Sequence, residues 1–354
     1  MTSSILSWHS LSLFDEQQYK KNLRRRTTLR NRPISSCCVS PNNKLVISAS
    51  ACGALETYDL AHLCSRSTHN NIHSTSCSHA QEGCIYSLVS DDKHNLLWLG
   101  GDRDLRCFQW SYLDTHLSLG ESKLEAVRRI DMGYGETNGI AVHPSQNLII
   151  TAGGDTKAYV YDYEQSKVIA TLKGHEEYLH DVILDKKSSS LVATCSEDCT
   201  LRLWDLRSLQ CIRIIDRKRK HRPSSSKRFV TSALFDNDSD FLLVGDGAKN
   251  LSLCYVATGE IVRSTSLMGI PSRLRAYEEN VLISCFDDSV IRLFTWQMNS
   301  VVEAKGCNKS VFDIAVSSDE ALFVSCGNTE LLDVYIRSFV PAVKLRSQSQ
   351  YFCN

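Results

Sequence analysis

Two histidines bracket two carboxylates in His175-Glu176-Glu177-Tyr178-Leu179-His180. A zinc hydrolase helix places its histidines at i and i+4, on one face, with a glutamate as base. Here the second histidine falls at i+5, where about 100° per residue turns the two side chains about 140° apart. His69, His73, Cys77, His79 and Cys84 form a denser set of metal-ligand residue types. Their spacing matches no standard finger, and the chain has no Cys-x-x-Cys. Cys37-Cys38 and the pair Cys195 and Cys199 read as small buried residues, the common fate of a free cysteine. Gly133-Tyr134-Gly135 does not open a phosphate-binding helix, and no Gly-x-Ser-x-Gly turn supplies a nucleophile. Nothing pairs a nucleophile with a base. No catalytic residue, metal, cofactor or small-molecule substrate is expected.

The elements that carry these residues are repeats. Residues 179–206 run LHDVILDKKSSSLVATCSEDCTLRLWDL: an apolar run, a polar turn, a second apolar run, an acidic turn, and an alternating run ending in an aromatic. Similar stretches occupy 34–60, 85–110, 138–163, 230–256, 273–296 and 311–336. The seven closing positions are Tyr58, Phe108, Tyr161, Trp204, Cys254, Phe294 and Tyr335, at spacings of 50, 53, 43, 50, 40 and 41 residues. Short strands at such a period predict an all-β, seven-bladed propeller over residues 34–346. Cys254 makes the fifth copy the least regular. The last blade needs a fourth strand. Pro341 to Leu345 alternates and lies adjacent, so it is expected to close the ring, with 347–354 a frayed tail. Residues 1–33 are expected to form a basic, partly helical extension, the helix running from Leu13 to Arg26.

Composition agrees with a soluble globular chain: 354 residues, 42% hydrophobic and 23% charged. No run of about 18 apolar residues predicts a membrane span. Fifteen cysteines without a secretory signal read as reduced thiols of the cytosol or nucleus. The net charge of zero hides a partition. Residues 1–33 carry +5 and residues 213–228 carry +7, leaving the rest at −12. Lys20, Lys21, Arg24, Arg25 and Arg26 have the composition of a nuclear-import run. Arg217, Lys218, Arg219, Lys220, Arg222, Lys227 and Arg228 form a loop that could grip RNA phosphates or an acidic partner. Both segments also fit a plain solvated surface.

The fourth copy resembles a WD40 repeat, through Gly174-His175, Ser196-Glu197-Asp198 and Leu203-Trp204-Asp205. That resemblance implies a hydrogen-bonded set within the blade: His175, Thr194, Asp198 and Trp204. More of the chain resembles the THO complex subunit 6 family, WD40 subunits of the nuclear mRNA-export machinery. The likeness runs from Val39-Ser40-Pro41, through His79-Ala80 with Ile85 to Val89, to Gly154-Asp155 and the block from Lys173 to Arg207. It implies a non-catalytic scaffold in mRNA processing, packaging and export. It also implies a nuclear location, with a cytoplasmic pool left open, and elongated helical partners such as THO subunits 5 and 7, with mRNA or mRNP alongside. Neither basic segment belongs to that pattern. Trp204-Asp205-Leu206-Arg207 supports an alternative, because a Trp-Asp-x-Arg ending resembles the docking box of substrate receptors for cullin-4 ubiquitin ligases, with Arg207 meeting the adaptor. A propeller binding peptides in its central mouth is the third reading.

Overall fold

The computed structural model describes residues 33–60, 72–73, 76–81, 83–118, 124–133, 135–217, 228–336 and 343–346. They form seven sheets, each built on four antiparallel strands in chain order from the inside out. The seven copies seen in the sequence are the seven blades. Their closing residues occupy one equivalent place: Tyr58, Phe108, Tyr161, Trp204, Cys254, Phe294 and Tyr335 each pair with the second residue of the neighbouring strand. All seven are buried, Cys254 among them. A thiol thus fills a site held elsewhere by a ring, and Val244, Leu242 and Phe235 pack in the same cluster.

Each innermost strand carries a bulge between its first and third residues, for example Leu179/Asp181 and Val311/Asp313. A bulge kinks and twists a strand locally, and here it is repeated once per blade. Second strands are fully or almost fully buried, as in Leu45–Ser50 and Leu322–Gly327. Outermost strands are not: Ile212, Ile214, Ile261 and Val262 are exposed. Apolar clusters bridge neighbouring blades, so blade-to-blade packing is the core.

The three long spacings have three causes. A connection that includes Ile72–His73 separates the third and fourth strands of blade 1. Blade 2 carries a helix, Trp110–Ser118, before its outer strand Arg128–Asp131. Sequence periodicity gave no sign of it, because Trp110 and Leu113 pack into the blade core without a full amphipathic repeat. The basic loop separates blades 4 and 5. Val343–Arg346 pairs with Leu331–Val334 and takes the fourth place in blade 7. One strand was not anticipated: Ile72–His73 adds to Leu345–Arg346 in parallel, as a fifth strand. The N-terminal helix, the import run and the tail 347–354 lie outside the described residues.

A chain ending at Ser338 lacks Val343–Arg346 and leaves blade 7 with an open edge. It is expected to lose the cooperative urea transition of the full chain. An unchanged midpoint would show that this strand does not close the ring.

Candidate functional site

Blade 4 holds a chain of buried polar contacts. The inter-blade turn places His175 under the sheet, where Nδ1 lies 2.8 Å from Asp198 Oδ2 and Nε2 lies 2.7 Å from Thr194 Oγ1. Trp204 Nε1 donates to the same Thr194 Oγ1 at 2.9 Å. Thr200 Oγ1 donates to Asp198 Oδ1 at 2.7 Å, and the Glu176 N–H donates to Oδ2 at 3.1 Å. Burial alone would push the Asp198 carboxyl up. The hydrogen bonds from His175, Thr200 and Glu176 outweigh it and hold the group well below the usual carboxylate range. The buried side-chain atoms of His175, Thr194, Asp198, Thr200 and Trp204 all have partners, as a low-dielectric interior requires. The chemistry of this chain of contacts is structural: each side chain is buried and bonded within the blade.

Arg217 must be taken out of the phosphate-gripping set. Its side chain is buried, with Nη2 2.8 Å from Asp246 Oδ2 and 2.7 Å from Ser252 Oγ. It follows the outer strand of blade 4 directly and pairs with the second and third strands of blade 5. A cation at the start of a basic run was read as surface, but an acidic partner in the next blade pulls it inward. Arg228 is half-buried, and Lys218, Arg219, Lys220, Arg222 and Lys227 lie outside the described residues.

The third residue of each inner strand faces the central channel. Around the ring these are Ser36, Ser87, Gly139, Asp181, Ser232, Arg273 and Asp313, all buried. Arg273 spans the centre, with Nη1 2.8 Å from Asp181 Oδ1 and Nε 3.3 Å from Asp313 Oδ1. Ser36 donates to Asp313 at 2.6 Å, Ser232 donates to Asp181 at 3.0 Å, and the Leu88 N–H donates to Ser36 Oγ at 3.0 Å. Arg275 adds a contact of 3.4 Å to Asp313. Burial opposes the Arg273 charge, and the two carboxylates hold its pKa above the ordinary value. Blade 3 contributes no side chain, and room for one is tight: a Cβ on Gly139 would sit 3.0 Å from the Asp181 Cα.

On the side of the ring where the inner strands begin, the channel opens into a cavity of about 520 Å³. The bulged residue of every blade lines it, Tyr86, His180 and Phe312 among them. His180 Nε2 lies 2.8 Å from Glu197 Oε2, and its ring sits 5.0 Å from Tyr178 and 5.3 Å from Phe229. Phe286 and Phe312 face each other at 6.2 Å across the other side. Residues 33 and 228, where the two basic segments join the propeller, both lie at this end, since each leads into an inner strand. A second cavity, about 730 Å³, lies beyond the ring and is lined by inner-strand residues, Val89, Ile183 and Leu234 among them.

Residues 166–205 match the family WD domain, G-beta repeat. THO complex subunit 6 of Arabidopsis thaliana is 30% identical over 258 residues, 67% of this chain and 67% of that protein. The THO complex subunit 6 homolog of Rattus norvegicus is 25% identical over 318 residues, 85% of this chain and 89% of that protein. The chain belongs to the THO complex subunit 6 family. Pre-mRNA-processing factor 19 of Bos taurus is 24% identical over 148 residues, which cover 42% of this chain and 26% of that protein.

In this member of the THO complex subunit 6 family, the metal-ligand types are dispersed. His73 sits in the added strand of blade 7, Cys77 and His79 sit in the outer strand of blade 1, and Cys84 Sγ donates to the Ala51 carbonyl at 2.9 Å. His69 lies outside the described residues, and among those described no group of His, Cys, Asp and Glu is arranged to hold a metal. Arg207 is 78% exposed, with Nε 3.1 Å from Asp205 Oδ1. The ring and the aromatic mouth were missed by sequence reasoning. The signal was present as one polar or small residue at the third place of each inner run: SSC, YSL, NGI, HDV, TSA, SRL and FDI.

Trp204→Ala is expected to cost about 3–5 kcal/mol in urea unfolding, and Thr194→Val about 1–3 kcal/mol by leaving the Trp204 indole N–H and the His175 Nε2 without their partner. Because the folded pKa of Asp198 is depressed, its stabilisation is present above the unfolded carboxyl value of 3.8 and is lost as pH falls further. Urea midpoints should drop below about pH 4 in the parent, and less steeply in Asp198→Asn. Equal acid slopes would show that Asp198 is not held by this network.

Proposed function

We propose that the chain is a non-catalytic scaffold subunit of a THO complex, acting in mRNA processing, mRNP packaging and nuclear mRNA export. The observation that carries this is the likeness to THO complex subunit 6 proteins over most of the chain, at matching length. A closed propeller cross-braced at its centre suits the role, since a rigid rim binds without an ordering cost. Its partners are the elongated helical subunits, of the kind of THO subunits 5 and 7, docked on the exposed strands and turns. The remaining basic-loop cations, Lys218, Arg219, Lys220, Arg222, Lys227 and Arg228, add a surface for RNA phosphates or an acidic partner. The protein works in the nucleus, and Lys20, Lys21, Arg24, Arg25 and Arg26 direct its import.

One observation favours a second reading. Arg207 projects with its guanidinium open to solvent, which suits a ligase-adaptor contact at the end of Trp204-Asp205-Leu206-Arg207. Affinity purification of the tagged full chain from nuclei, followed by mass spectrometry, separates the two. Recovery of other THO subunits, unaffected by Arg207→Ala, is the expected result. Recovery of a cullin and its adaptor, lost in Arg207→Ala, would replace the scaffold assignment.

A further inference from the structure

The mouth above the ring combines three features that belong together only in a site. It is concave, it is walled by aromatic rings, and it holds a carboxylate that nothing neutralises. Glu136 lines the cavity and is exposed. Among the described residues its side chain makes no hydrogen bond and no ion pair. Its backbone is nevertheless fixed, because the Gly154 N–H donates to the Glu136 carbonyl at 2.8 Å. Gly154 is also the place where a Cβ would come within 3.3 Å of the Glu136 Cβ. The turn therefore fixes the backbone that carries the carboxylate at the rim.

The rings stand around it. Tyr178 is 41% exposed and Phe286 39% exposed, on blades 4 and 6, with Tyr86 and Phe312 lining the same cavity. Glu136, Glu177 and Glu197 all act on the Tyr178 hydroxyl and, after burial, help push its pKa up. Beside the Tyr178 hydroxyl the field is thus negative. The cations nearest the floor are already committed: Arg273 and Arg275 are bound to Asp181 and Asp313. A wall of π-faces with an unpaired carboxylate attracts a cation and repels a phosphate.

We propose that this mouth binds an arginine side chain presented by an extended basic segment of a protein partner. The guanidinium stacks on Tyr178 and donates to Glu136, and the charged ring below sets the depth to which it enters. Arginine is favoured over lysine because its planar group can stack and donate at once. The inference is independent of THO membership, since it rests on the cavity alone.

The test is fluorescence anisotropy of a labelled arginine-rich peptide titrated with the full chain, beside a labelled single-stranded RNA of equal length. Peptide binding that weakens about tenfold in Glu136→Gln and in Tyr178→Ala, the size of one cation–π or charge-assisted contact, is expected. Arg207→Ala on the far face should leave it unchanged. Both mouth residues are exposed, so thermal midpoints should match the parent and report that the variants fold. Peptide affinity indifferent to both substitutions, or no binding by the full chain, overturns the proposal. So does RNA that binds more tightly in Glu136→Gln and loses affinity in Tyr178→Ala, which would make the mouth a base-stacking platform.

Discussion

The fold depends on one buried guanidinium. Arg273 reaches from blade 6 to Asp181 in blade 4 and Asp313 in blade 7, and the serines of blades 1 and 5 complete the carboxylates. A propeller is otherwise held by contacts between adjacent blades, which transmit nothing across the middle. Here side chains of five of the seven blades share one polar network. Burying such charges is costly, and a hydrophobic replacement can be as stable. What the charges add is directional: an arginine fork has one geometry, and it fixes the angular positions of the blades it touches.

That constraint explains the composition of the channel. Ser36, Ser87 and Ser232 are small and can donate. Gly139 has no side chain, and the Asp181 backbone leaves little room for one. With the ring filled, the channel is divided. The mouth on one side is walled by aromatic rings, and the cavity on the other mixes Val89, Ile183 and Leu234 with Asp91, Lys93, Asp185 and Lys186. A ligand entering the mouth meets a preformed charged floor rather than an open pore.

Much of the fold was legible in the sequence, because blades are local. Tyr58, Phe108, Tyr161 and Trp204 recur at the end of alternating runs, and packing against the preceding strand imposes that recurrence. The blade 4 set was legible for the same reason: His175, Thr194, Asp198 and Trp204 lie within one repeat. Ring and mouth were not, because each takes one residue per blade and those residues lie up to 277 positions apart, as Ser36 and Asp313 do. Their types differ around the ring, so periodicity in residue type hides them. Arg217 was misread through its neighbours: six further cations follow it within eleven residues, yet its own partner, Asp246, comes from the next blade. The helix Trp110–Ser118 and the strand Ile72–His73 lie in the long connections, where the repeat is silent.

The central claim is that the Arg273 network couples blades that do not touch. Hydrogen–deuterium exchange on Arg273→Met, read peptide by peptide, tests it most directly. Removing one partner of a buried ion pair costs about 3–5 kcal/mol, enough to change protection measurably. The account predicts faster exchange in the inner strands of blades 1, 4, 5 and 7 together with blade 6. Loss of protection confined to blade 6 and its two neighbours would contradict it.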